Sequence, residues 1–335
     1  MPRISQLRAD VEALATSTGR MVGTPGHAAA RRFLLDRLSA IGLMPYCQGT
    51  IDLCYETLNQ QFHNLVGIVP GIDRQMPPIL IGAHYDSVIQ APCADDNAAA
   101  VAVALSVAEE LIRQKPGREV VIALFDAEEP PYYLSPAMGS IRFFQDHADH
   151  RGFQSALIMD LVGHDVPMPL PAFQDMFPNF GKLLFLTGAE SHPALGPIIQ
   201  KHCDDPELVL VATQNRLVGD LSDHHVFRTH GVPYLFFSCG RWEHYHRLSD
   251  TPDRLNYQKM ERIGQFLLSL IAELSALDLS PVGEADTTAL EISLLHKAFG
   301  PGLYFLMDII GLPQLQTRQD LDSLAFRLQE MFRLK

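Results

Sequence analysis

ILIGAHYDSVIQAPCADDNAAAVAVALSVAEELIRQKPGREVVIALFDAEEPP, residues 79–131, is the stretch on which the fold reading turns. Two apolar runs, 79–83 and 120–125, bracket a helical stretch at about 97–114. Short runs that are apolar at nearly every position suit strands covered on both faces. Ionisable residues follow each run: His84 and Asp86 after the first, Glu128 and Glu129 after the second. Asp95 and Asp96 stand where the helix between them begins.

The same alternation extends outward. Strand-like runs recur at 65–69, 156–159, 183–186, 208–212 and 232–237, with helices expected at about 138–148, 191–203 and 222–229 and a long amphipathic helix at about 257–277. Two helices lead the chain. Leu7, Val11 and Leu14 recur at helical spacing in the first. The second follows Thr24-Pro25-Gly26, carries Phe33, Leu34, Leu38 and Ile41 on its apolar face, and ends at Gly42. This order predicts an α/β fold, a three-layer α/β/α sandwich with a mostly parallel mixed central sheet. Residues 281–335 read differently. Pro281, Val282 and Gly283 break the pattern and three short helices follow, the last with Leu321, Leu324, Leu328 and Phe332 on one stripe. The chain is therefore expected to divide into a catalytic domain, 1–280, and a C-terminal helical appendage, 281–335, which either packs on the body or makes a homo-oligomeric contact.

Composition narrows the function classes. The 335 residues carry a formal charge of −13, and 47% of them are hydrophobic. That is enough apolar mass for a full core, and it excludes disorder as the main state. The acidic balance argues against nucleic acid and anionic membrane as partners. Cys47, Cys54, Cys93, Cys203 and Cys239 are scattered and form no CxxC pair, as in a reduced protein without disulfides. Neither a secretory leader nor a bilayer-length apolar run is recognised, so a cytoplasmic location is expected.

In open α/β sheets, sites form at the carboxyl ends of strands. His84, Asp86, Glu128, Glu129, Asp160 and the loop holding Glu243, His244, Tyr245, His246 and Asp250 then share one rim with Asp95 and Asp96. Each piece has an ordinary reading: a satisfied His–Asp pair, a helix N-cap, a solvated turn. Together they point elsewhere, because capping needs one Asp and not two, and a solvated Glu pair seldom closes an apolar strand. Pro130 and Pro131 end that strand, which lets adjacent Glu side chains reach one site. Two histidines and three carboxylates without a thiolate suit zinc, with cobalt or manganese as substitutes. One carboxylate can bridge two ions, and a fourth, uncoordinated, is left to shuttle protons.

At these residues the chain resembles metallopeptidase family 28, the co-catalytic dizinc aminopeptidases. The strings are GAHYDS (82–87), ADDNAAA (94–100), DAEE (126–129) with GS at 139–140, MDLVG (159–163), SDHHVF (222–227) and YHRLSDT (245–251), with RMVGTPGHAAARRFLLDRLSAIGL (20–43) resembling the family's N-terminal segment. The resemblance implies the zinc-exopeptidase (phosphorylase/hydrolase-like) fold and two zinc ions. His84 and Asp160 would hold one ion, Glu129 and His246 the other, and Asp95 would bridge them. Glu128 would be the general base for a metal-bridging hydroxide, and Asp86 would hold the ring of His84. It also implies a cis peptide at Asp95–Asp96 and, as substrate, a peptide with a free N-terminus. Asp223 matches a family acid, with a helix cap near Ser222 an equal reading. His244 competes with His246, but Tyr245-His246 followed by Asp250-Thr251 is the family pattern. Trp242, Tyr132 and Tyr133 either wall the substrate pocket or pack. Cys93 reads as a small packed side chain, and His63, His147 and His150 read as surface residues. The family also contains glutaminyl cyclases, and LSPAMGS (134–140) and FPNF (177–180) look like that branch. That branch, however, has one Asp followed by Ser where this chain has Asp95-Asp96-Asn97, and a Trp where this chain has Tyr245.

Overall fold

Burial on both faces explains why the central runs are apolar at every position. In the computed structural model all residues of Ile79–His84, Val120–Phe125 and Ser155–Met159 are buried. The structure describes residues 3–332 apart from 48, 149–151, 170–173, 281 and 282, and gives only the backbone of 329–332. His150, Pro281, Val282 and the Phe332 side chain lie outside the described residues.

The strands are β1 (Met44–Pro45), β2 (Asp52–Thr57), β3 (Gln60–Val69), β4 (Ile79–His84), β5 (Val120–Phe125), β6 (Ser155–Met159), β7 (Leu183–Thr187), β8 (Val209–Ala212) and β9 (Tyr234–Ser238). The helices are α1 (Ile4–Leu14), α2 (Pro25–Ile41), α3 (Ala100–Gln114), α4 (Gly139–His147), α5 (Leu195–Lys201), α6 (Asn215–Val218), α7 (His224–Thr229), α8 (Tyr257–Ser275), α9 (Thr288–Phe299), α10 (Pro301–Ile309) and α11 (Arg318–Phe332). The sheet runs β1-β3-β5-β4-β6-β9-β7-β8, with β2 also paired to β3. Its centre, β5-β4-β6-β9, is parallel, while β3 joins β5 and β7 joins β9 antiparallel. This is the mixed α/β sandwich expected from the alternation. The chain leaves β4 for β5 on one side and returns to β6 on the other, which opens a crevice at the carboxyl ends of these strands.

The edge hairpin departs from the expectation. The apolar run at 65–69 is only the inner half of β3, and β2 was not anticipated, because it is half-buried and carries no continuous apolar run. Leu58 and Asn59 between them both have positive φ, 53° and 58°, as a two-residue type I′ hairpin requires.

One face of the sheet is covered by α1, α2, α3 and α8, whose Leu7, Val11, Leu34, Leu38, Val103, Met260 and Leu267 share the larger core. The other is covered by α4 and α7, where Phe143 and Phe227 meet Phe125 and Phe153. α2 begins with Pro25 behind a Thr24 cap and ends at Gly42 with φ 88°. Three C-terminal helices are present. Leu290, Leu294 and Ala298 of α9 join the main core, whereas Leu295, Leu303, Met307, Ile310, Leu315, Leu321 and Leu324 form a small core of their own. Among the described residues, no helix is long and apolar enough to cross a membrane.

Candidate metal centre

Four loops at the carboxyl ends of the parallel strands build the site. His84 ends β4, and Asp86, two residues on, points to the same side. Asp86 Oδ1 lies 3.3 Å from His84 Nδ1. The same carboxylate accepts from the main-chain N–H groups of Glu128 and Glu129, both at 3.1 Å, and so ties the loop after β4 to the loop after β5. The turn between is set by Asp126, which accepts from the N–H of His63 and of Ala127 and pairs with His27 Nε2, each at 2.8 Å. Several non-glycine residues with positive φ sit in the site loops, among them Cys93 (43°), Ala127 (54°), Leu161 (54°) and His246 (57°). Such conformations cost about 1–3 kcal/mol each and persist where surrounding bonds over-determine them, commonly at functional sites.

The residue between the two histidines is Asp96. Its Oδ1 lies 3.4 Å from His84 Nε2, and its Oδ2 lies 3.2 Å from His246 Nε2. Asp160 Oδ1 stands 3.6 Å from His84 Nε2, and Glu129 Oε2 stands 3.3 Å from His246 Nε2. Each half therefore contains one imidazole, one private carboxylate and one oxygen of Asp96. His84, Asp96 and Glu129 also form a group whose ligand atoms lie within 4.8 Å of one another, close enough to hold one metal ion.

This corrects the expectation for Asp95 as the bridge. Asp95 Oδ1 accepts from Gly163 N and Oδ2 pairs with His164 Nδ1, each at 2.6 Å. With both oxygens engaged, Asp95 faces the loop after β6 and not His84 or His246. The cis peptide is likewise one residue on, at Asp96–Asn97 instead of Asp95–Asp96. A π-helical turn, Ala94–Ala99, precedes α3 and carries both acids.

The donor set fits divalent cations. Nε2 of His84 and of His246, Asp96 Oδ2, Glu129 Oε1 and Asp160 Oδ1 are buried without a hydrogen-bond partner among the described residues. Buried polar atoms are ordinarily satisfied, so this many orphans in one place mark missing positive charge. Proton affinities say the same. Burial, reinforced by Asp160, Asp223 and Glu129, pushes the Glu128 carboxyl well above its ordinary value although His84 opposes it. Burial and the charge of Asp96 push Glu129 up to about 8. Burial resists a charge on His246, but its contacts with Asp96 and Glu129 outweigh that and raise it to about 9. For Asp96 burial is likewise outweighed, by His246 and His84, and its carboxyl is held low. Raised proton affinities among clustered buried acids are what uncompensated negative charge produces.

The remaining expectations divide. His244 bonds through Nδ1 to Ser249 Oγ at 2.9 Å and packs edge-on to Trp242, so His246 alone of the two joins the cluster. Asp223 makes no capping bond to α7, and its charge acts on Glu128. Tyr132 bonds to Gln60 and packs on Phe62. Tyr133 donates to the carbonyl of Asp220. His63 and His147 are not free surface groups: His63 Nδ1 pairs with Asp52 at 2.8 Å, and His147 lies against Phe143. Cys93 is buried as a packed thiol.

Arg20 was overlooked. Fully buried, it donates all five guanidinium N–H bonds to main-chain carbonyls, those of Leu14, Tyr85, Pro92, Cys93 and Asp96. It thereby fastens the Asp96 loop to the end of β4. The only sequence signal was its place at the head of the 20–43 segment.

Residues 64–271 match the model of Peptidase family M28. A curated relative, the uncharacterized protein YfbL of Escherichia coli (strain K12), is 30% identical in an alignment 218 residues long that covers 58% of this chain and 66% of that protein. The match thus spans just under two thirds of that relative's length. Among solved structures, the glutaminyl cyclase of Bacteroides thetaiotaomicron bound to N-acetylhistamine superposes with a TM-score of 0.65 at 16% identity, covering 81% of this chain and 98% of that one. A leucine aminopeptidase precursor from Bacteroides thetaiotaomicron VPI-5482 gives 0.62 at 17% identity, covering 81% and 97%. LapA aminopeptidase of Legionella pneumophila gives 0.64 at 17% identity, covering 83% and 72%. At these identities the structural likeness speaks for the fold.

Proposed function

This chain belongs to peptidase family M28, and from that premise we propose that it is a dizinc aminopeptidase, removing residues from peptides with a free N-terminus. The observation that carries the reading is the stance of Asp96, whose two oxygens face two separate His–carboxylate pairs. His84, Asp160 and Asp96 would hold one ion, and His246, Glu129 and Asp96 the other. When bound, the pair supplies an activated water and polarises the scissile carbonyl.

Glu128 stands beside this set with Oε2 3.8 Å from His84 Nε2 and belongs to neither half. It takes the proton of the attacking water and passes it to the leaving amine. Asp86 fixes both the ring of His84 and the main chain that presents Glu128. Carboxylates at the rim attract the α-ammonium of the substrate.

The second reading is a zinc-dependent glutaminyl cyclase, favoured by the cyclase-like LSPAMGS segment and by the fold likeness to a solved cyclase. Tyr245, stacked on His246 at 3.7 Å, stands where that branch carries Trp, and the two-sided stance of Asp96 favours two ions. Metal analysis of the purified protein, with a panel of aminoacyl amides and Gln-peptides, separates them. Two zinc ions per chain and release of N-terminal residues are expected. One zinc with cyclisation of N-terminal Gln would overturn the proposal.

A further inference from the structure

Asp95 leaves the metal set but not the site. Fully buried, it is bonded on three sides. Its N–H donates to Asp250 Oδ1 at 2.9 Å, and its carboxylate takes Gly163 N and His164 Nδ1. Asp250 also accepts from the N–H of Asp96 at 3.2 Å, and its carbonyl accepts from Ala94 at 3.2 Å. His164 is buried as well. Its ring stacks on Trp242 at 4.5 Å and 12°, and its carbonyl accepts from Lys259 Nζ at 2.9 Å. A carboxylate only accepts, so the bond to Asp95 needs a proton on Nδ1, while Nε2 has no hydrogen-bond partner among the described residues.

Between them the members of this array adjoin three of the ligands. Asp95 precedes Asp96. Gly163 and His164 follow Asp160 in the loop after β6. Trp242 begins the turn that carries His246, and Asp250 closes that loop. The fit is close: a Cβ on Gly163 would stand 2.8 Å from Asp95 Oδ1 and 2.8 Å from the Ala99 Cβ.

We propose that Asp95, His164 and Trp242 are positioning residues, an Asp250–Asp95–His164–Trp242 array that holds the loops of Asp96, Asp160 and His246 in one frame and sets the spacing of the two half-sites. This rests on the two-metal reading above. None of the three touches an ion. They act through the ligands that their loops present, as outer partners of metal ligands do elsewhere.

The substitutions are Asp95→Asn, His164→Phe and, if either prevents folding, Gly163→Ala. Asn at 95 can still accept from Gly163, but its amide would donate to His164 Nδ1 and force the opposite tautomer. Phe at 164 keeps the stack on Trp242 and removes the bond to Asp95. Zinc titration, the visible spectrum of the cobalt-loaded protein and the melting point of the metal-free protein are measured on each. Zinc affinity is expected to weaken roughly 10–100-fold in at least one site, as for outer partners of metal ligands. The cobalt spectrum is expected to shift, and kcat to fall with KM little changed. Wild-type zinc affinities and cobalt spectrum, with or without a lower melting point, would overturn the proposal. So would complete loss of one ion in Asp95→Asn, since that would make Asp95 a ligand itself. Failure of the wild-type chain to bind zinc or cobalt at all would be a failure of the two-metal reading, and it is read from the unsubstituted protein.

Discussion

At the scale of single residues, the account separates two neighbouring acids and two neighbouring glutamates by what their oxygens face. Asp96→Asn removes the only carboxylate shared by both halves, so zinc titration should show at least one ion lost. Glu128→Gln should keep both ions and lose roughly 10²–10⁴-fold in kcat, the usual worth of a general base. A Glu128→Gln variant with near wild-type turnover on aminoacyl amides would remove Glu128 from that role. Much of this set was legible in the sequence, because strand ends locate His84, Asp86, Glu128, Glu129 and Asp160, and the Tyr-His pattern locates His246. The choice between Asp95 and Asp96 was not. The two are identical and adjacent, and which one faces the histidines depends on the turn from Cys93 to Ala99 and on the partners Gly163 and His164, some 70 residues away. Arg20 was hidden for a related reason: its partners are main-chain carbonyls, which have no sequence signature.

At the scale of elements, loops are placed by close backbone approach. Gly139, the first residue of α4, lies so near the Asp126 turn that a Cβ would meet the Asp126 carbonyl at 2.3 Å and Asn64 Oδ1 at 2.4 Å. Gly139→Ala should therefore displace the turn that presents Glu128 and Glu129. A loss of roughly 1–3 kcal/mol, the range for overpacking a filled site, is expected in denaturant unfolding, together with reduced activity. The parallel strands were readable because burial on both faces leaves continuous apolar runs. The β2–β3 hairpin was not, since an edge strand is only half-covered and its turn, Leu58-Asn59, lacks the glycine that usually marks such a geometry. Three C-terminal helices were expected, the last from its periodic stripe, but that α9 would share the main core with β8 was not visible, because periodicity gives the apolar face and not its partner.

At the scale of the whole molecule, the formal charge of −13 is gathered in part at one rim, where Asp86, Asp95, Asp96, Glu128, Glu129, Asp160 and Asp223 are all buried. Removing the metals should therefore make stability depend on pH. Glu129 is pushed up to about 8 and Asp223 to about 7, chiefly by burial. A carboxyl whose folded value lies above its unfolded one binds more protons when folded, so the metal-free protein gains stability as pH falls from about 8 toward 5. Its melting point after chelation should be higher at pH 6 than at pH 8.5, and zinc should stabilise most at the higher pH. Equal melting points at both values would argue against an acid cluster awaiting cations. The central claim, hydrolysis at a free N-terminus, is tested most directly by mass spectrometry of a peptide beginning with Gln after incubation with the zinc-loaded protein. The account expects free glutamine and a peptide one residue shorter. A peptide of full length that has lost one ammonia would contradict it.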